Sequence, residues 1–128
     1  MRKIVVSIQN GLLGEALTNL LQASGEFEPY RAVVDKSRRA VSACVACHAD
    51  IVLMEVTHTA HTTLDERLLE GEQIRLMVPG CKIVLLCDEH VSPDIAREVV
   101  EAKKSGRIDA FYYSSVTGKY LVAALYAL

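Results

Sequence analysis

No apolar run in this chain approaches the length of a membrane span; the longest near the end, Tyr120 to Leu128, is far too short. The start, MRKIVV, lacks the apolar core and small-residue cleavage site of a secretion signal. An excess of one charge is missing too. Fourteen Lys and Arg stand against 16 Asp and Glu, a net charge of −2. That balance gives no electrostatic case for nucleic-acid or membrane binding, and Arg38-Arg39 and Lys103-Lys104 read as solvated helix charges. There is no second C-x-x-C, no G-x-G-x-x-G, no internal repeat, no linker and no low-complexity segment. The expectation is a cytoplasmic protein, one domain over residues 1–128, with reduced cysteines and no cofactor.

What is present is a globular composition: 51% hydrophobic and 23% charged over 128 residues. A chain of this size buries roughly two-thirds of its unfolded surface, so it needs neither a metal nor a disulfide to hold a core. Strands are expected at Lys3–Val6, Tyr30–Val34, Ile51–Met54, Ile83–Leu86 and Asp109–Tyr113. Between them lie helical patterns. Asn10 caps the first, which carries Leu12, Leu13, Ala16, Leu17, Leu20 and Leu21 on one stripe and ends at Gly25. Ser37–Ala49 is the second, with Val41, Cys44 and Val45 inward. Thr63 to Glu66 has a capping-box pattern, so the third begins at Leu64 and runs to about Met77, where Pro79-Gly80 stops it. Ser92-Pro93 opens the fourth, with Ile95, Ala96, Val99 and Val100 inward, and Gly106 ends it. The last starts at Thr117. Pro29 has no N–H to give a ladder, which puts the second strand at a sheet edge. Strict alternation of strand and helix implies an α/β fold: a parallel sheet with helices on both faces and right-handed crossovers.

The stretch ADIVLMEV organises the reading. Ile51 to Met54 fits a strand buried on both faces, and Glu55 follows it directly. A carboxylate there is costly unless it is hydrogen-bonded or faces the crevice beyond the strand ends, where ligands gather in open α/β sheets.

Other residues also carry candidate chemistry. Cys44-x-x-Cys47 with His48 could suggest metal or redox work, but zinc sites use two ligand pairs, and small core cysteines are the ordinary case. His58-x-x-His61, close to Glu55 in sequence, could bind a transition metal; a surface loop carrying histidines is the plainer reading. Gly11-x-x-Gly14 is not a dinucleotide fingerprint.

Five strands of this spacing, and above all ADIVLMEV, resemble the receiver domain of two-component response regulators, the CheY-like, flavodoxin-like fold. GEFEPYRAV and AFYYSS are similar to receivers joined to helix-turn-helix DNA-binding domains. The resemblance covers essentially the whole chain and implies a five-stranded sheet of order 2-1-3-4-5. At the functional positions it fails. Glu55 stands where the family carries its phosphoacceptor aspartate, and Ile8 and Gln9 stand where it carries the acidic pair that holds Mg²⁺. Cys87 replaces the Thr or Ser that bonds the phosphoryl group, and Ser114 replaces the Lys that pairs with it; only the switch aromatic, Phe111, is kept.

The resemblance therefore implies a degenerate receiver: not an enzyme, not phosphorylatable, a signalling or transcription-regulatory module acting through protein partners. Glu55 either imitates a phosphorylated aspartate or only bonds local backbone and hydroxyls such as Ser114; loss of the Lys and the Thr or Ser weighs toward the second. A second reading is a small-ligand sensor at the strand-end crevice, where Gln9, Glu55, Cys87 and Ser114 would converge; a third is a metal or redox protein. On the last helix, Leu121, Val122, Leu125 and Leu128 form the inward stripe, leaving Tyr120, Ala123, Ala124 and Ala127 outward. In receivers the face made by the fourth helix, the fifth strand and this fifth helix commonly associates, and the resemblance implies a homodimer or a docked domain there.

Overall fold

The computed structural model describes residues Met1–Leu128. Five strands, β1 (Arg2–Ser7), β2 (Phe27–Arg31), β3 (Ile51–Val56), β4 (Lys82–Cys87) and β5 (Ala110–Tyr113), alternate with five helices, α1 (Gly11–Ala23), α2 (Arg39–Cys47), α3 (Leu64–Met77), α4 (Pro93–Lys104) and α5 (Gly118–Tyr126). All strand pairs are parallel and the sheet order is β2-β1-β3-β4-β5, as the sequence implied.

Each face of the sheet has its own core. Val5, Val52, Met54, Val56, Ile83 and Leu85 pack with residues of α2, α3 and α4 on one side. Ile4, Val6, Ile51, Leu53, Val84 and Leu86 pack with α1 and α5 on the other. The alternation along each strand is the period of two that a pleated backbone imposes. Caps fall where hydroxyls and amides were expected. Asn10, Thr63, Ser92 and Thr117 each accept a backbone N–H three residues on. The capping box at α3 is half-formed: Thr63 Oγ1 takes the Glu66 N–H, but the Glu66 carboxylate accepts from that hydroxyl rather than from the Thr63 backbone.

Several expectations need correction. The second strand lies at Phe27–Arg31, three residues earlier than expected, with Pro29 in its middle. The edge placement holds. The Ala32 N–H bonds Val6 O, so by the period of two the Pro29 nitrogen faces the open edge, where no donor is needed. In α1 the buried line is Gly14, Leu17 and Leu21, while Leu12 and Leu20 are exposed. A leucine-rich helix offers more than one apolar stripe, and the sheet selects one. Gly14 is on the inner line, where the Arg31 guanidinium packs over the space that a Cβ would take. In α2, Ala40 and Cys44 are buried, with Val41 and Val45 half-buried; in α4, Val99 and Ala102 are buried and Val100 is exposed. The α5 stripe follows the expectation: Leu121 and Leu125 are buried, and Tyr120, Ala123 and Ala127 are exposed, although Ala124 is half-buried.

Candidate functional site

The C-terminal ends of β1 and β3 bring Glu55 beneath the β1–α1 turn. Glu55 shares the α1/α5 face with Ile51 and Leu53 and is almost fully buried. Its Oε1 accepts from the Gln9 backbone N–H at 2.8 Å and from the Asn10 N–H at 3.4 Å. Those amides sit at the entry to α1, so one carboxylate satisfies donors that the turn would otherwise leave open. Ser114 does not take part: its side chain is exposed, and only its backbone N–H is engaged, with Cys87 O at 2.9 Å.

The neighbouring loop closes on itself through hydroxyls. Thr57 Oγ1 lies 2.7 Å from Thr59 Oγ1 and 2.5 Å from Thr62 Oγ1, and the Thr57 N–H donates to Thr62 O. Thr59 Oγ1 donates to Gln9 Oε1 at 3.0 Å, so the one amide oxygen available at that position is already used. Ile8 is buried in the α1/α5 core. A Mg²⁺ ion therefore does not fit here. It needs several oxygen ligands, and this position presents a hydrocarbon, an amide oxygen bonded to Thr59 and one carboxylate whose Oε1 is held by backbone.

Beneath Glu55 lies a feature that sequence reading missed. Arg67, on α3, is buried at 1% exposure. Its Nε donates to Glu55 O at 2.7 Å, its NH2 to Ser7 O at 2.8 Å, and its NH1 to Ser7 Oγ at 3.0 Å and Glu70 Oε1 at 3.3 Å. One planar fork thus ties the ends of β1 and β3 to α3. Burial pulls Arg67 below its ordinary value, opposed by Glu70 and Glu55, and burial raises Glu70 despite Arg67. The signal was available. Arg67 falls on the same stripe as Leu64, Leu68, Gly71 and Ile74, and a charge on an inward stripe demands partners.

Cys87 faces the opposite side of the sheet from Glu55, in the core beneath α3 and α4, fully buried, its thiol pushed up to about 12 by burial. The expected convergence of Gln9, Glu55, Cys87 and Ser114 is not formed, because alternate strand positions send Glu55 and Cys87 to different faces. The crevice at these strand ends, about 360 Å³, is lined instead by Thr57, His58, Thr63, Asp88, His90 and Ser92 with Leu64, Val91 and Ile95. Phe111 is half-buried on the α4 side, edge-on to Tyr113 at 6.2 Å.

The histidines diverge. His58 lines that crevice, while His61, at φ +72°, lies 3.9 Å from Glu66 and lines a small polar cavity with Asp35, Arg38 and Glu70. No three His, Cys, Asp or Glu side chains are grouped to hold a metal ion. Cys44 and Cys81 share the core on the α2/α3 side of the sheet, and all four thiols are free. Cys44, Cys81 and Cys87 are buried and Cys47 is half-buried. Native protein treated briefly with iodoacetamide should gain one adduct, on Cys47, and denatured protein four; peptide mass mapping reads the difference.

No protein-family model matches the sequence, and no curated protein is a significant match to it. Solved structures do match. A DNA-binding response regulator of the LuxR family from Staphylococcus aureus aligns over 98% of this chain and 96% of its own, with a TM-score of 0.76 at 16% identity. The chain has the response-regulator receiver fold. A two-component response regulator from Clostridium difficile gives 0.75 at 17% identity, over 99% of this chain and 94% of its own. An adenylate cyclase structure from Rhodopirellula baltica gives 0.74 at 16%, over 98% and 85%. At these identities the likeness is one of fold. Within the receiver fold, the end of β3 carries a backbone-bound glutamate beside a threonine loop closed on itself.

Proposed function

We propose that this chain is a receiver-like signalling module that works by protein association and takes no phosphoryl group. The observation that carries the reading is the Glu55 carboxylate bonded to the Gln9 and Asn10 amides beside a buried Ile8. Phosphoryl transfer is mostly positioning and charge neutralisation, with a metal ion as the largest local charge. Here one of the two carboxylate oxygens, Oε1, is engaged by backbone, Ile8 and Gln9 stand where an acidic pair would be needed, and the chain has Ser114 in place of a lysine. No catalytic role is assigned to any residue.

The test is intact mass after incubation with acetyl phosphate and Mg²⁺. Unchanged mass is expected. A stable gain of one phosphoryl group that disappears in Glu55→Gln overturns the reading.

In this reading Glu55 is a structural acceptor rather than a charge mimic. A Gln side-chain oxygen can still accept the Gln9 N–H, so Glu55→Gln should cost about 1 kcal/mol, the difference between a charge-assisted and a neutral hydrogen bond. Subunit association should not change. A mimic acts only through differential interaction with one state, so a shift in sedimentation between the two variants would assign it that role instead.

The association surface proposed is the outer face of α5. Tyr120 is 59% exposed and Tyr126 57% exposed, with Ala123 and Ala127 exposed beside them. Small residues let another helix approach closely, and the tyrosines add contact area with a polar tip. A second copy of this chain, paired about a two-fold axis, is the partner favoured.

A further inference from the structure

A second surface, on the opposite side of the sheet from α5, has a different character. A groove of about 710 Å³ runs between α2 and α3, lined by Val41, Val45 and Ala46 on one wall and Leu76 and Met77 on the other, with Arg38 at one end. Leu76 is 82% exposed and Met77 62% exposed, although α3 already supplies Leu64, Leu68 and Ile74 to the core. Leu69, 46% exposed, lies on the same outer side about two turns back, with Gln73 between them in the groove wall. The helix thus keeps exposed apolar residues that the fold does not use.

The charge at the end of the groove has no bonded partner, although it acts on Glu70 through space. Arg39 is paired with Asp35, whereas the Arg38 guanidinium makes no hydrogen bond or ion pair. Arg38 is also the N-cap of α2, in the left-handed region, and gives the helix no side-chain cap; the first turn carries no acidic residue. The positive end of the helix dipole and a free guanidinium therefore lie together beside an apolar groove. The carboxylates of Asp35, Glu66 and Glu70 border Arg38 across a small polar cavity, but none is within ion-pair reach.

We propose that this groove docks an amphipathic helix of a partner protein, one that carries an acidic residue at the end of its apolar stripe. The apolar face would lie between α2 and α3, covering Leu76 and Met77, and the acid would meet Arg38 and the open turn of α2. A second copy of this chain fits less well. The groove lining contains Arg38 and no carboxylate, so a two-fold pairing leaves Arg38 unanswered. The proposal is independent of the α5 surface.

The experiment is selection from a displayed library of helix-constrained peptides against the full chain, followed by fluorescence anisotropy of the selected peptides. Selected binders should carry Asp or Glu at one end of an i, i+3 or i+4, i+7 apolar stripe. Their affinity should fall more than about tenfold for Leu76→Lys. Arg38→Glu should invert the preference, so that peptides with Lys in place of the acid bind better. Both side chains are exposed, so the variants keep the fold, which circular dichroism checks. Three results overturn the proposal: no binders, binders indifferent to both substitutions, or self-association of the wild type that Leu76→Lys abolishes. The last would assign the groove to a second copy.

Discussion

Arg67→Ala should lower the free energy of unfolding by about 3–5 kcal/mol, the cost of stripping one partner from a buried ion pair. Against the 5–15 kcal/mol typical of a whole domain, that is enough to leave a measurable unfolded fraction at moderate temperature. Removing the side chain leaves Glu70 buried without its counter-charge, and deprives Ser7 O, Ser7 Oγ and Glu55 O of their donor. Arg67→Lys should rescue little, since one ammonium cannot span acceptors on two strands and a helix. Arg67→Met combined with Glu70→Leu should recover part of the loss, because no lone charge remains. Urea midpoints for the three variants measure this.

The same pair has a pH signature. Burial holds the Glu70 carboxyl above its ordinary value of 4.5, with Arg67 pulling it down. The folded state then binds that proton more tightly than the unfolded chain does. Glu70's contribution is full below 4.5 and is lost as pH rises through the raised folded value. Glu70→Gln should flatten the decline in stability across that window. A decline of unchanged slope in the variant would remove Glu70 as its source.

Ala123→Arg should weaken self-association by about a hundredfold, close to 3 kcal/mol, with the circular dichroism unchanged. Ala123 is exposed on the outer face of α5, beside Tyr120 and Ala127, so a guanidinium there meets only a partner. In a two-fold interface the substitution appears twice, placing two unpaired like charges in one desolvated contact. Ala124 is a poorer site for the same test, because its half-buried position mixes association with packing. Sedimentation over a concentration series decides. Wild-type protein that stays monomeric at high micromolar concentration would end the homodimer reading and leave this face for a different partner.

The strand–helix alternation, three of the five helix N-caps and the edge position of β2 were legible in the sequence. Each follows from a local rule: the period of apolar residues, a hydroxyl or amide before a helix, a proline without a donor. The departures at Ile8, Gln9, Glu55, Cys87 and Ser114 are residue identities set against a resemblance, and the degenerate site they imply belongs to the proposed function.

Tertiary structure decided the rest. It chose which leucines of α1 face the sheet, since that helix carries apolar residues on more than one side and only packing breaks the tie. It sent Glu55 and Cys87 to opposite faces, because side chains alternate along a strand and two residues at neighbouring strand ends need not share a side. It joined Arg67 to Ser7, sixty residues away, and to Glu55 on a third element. Periodicity marked Arg67 as inward, but only the three-dimensional meeting of β1, β3 and α3 supplied the acceptors that make a buried guanidinium affordable.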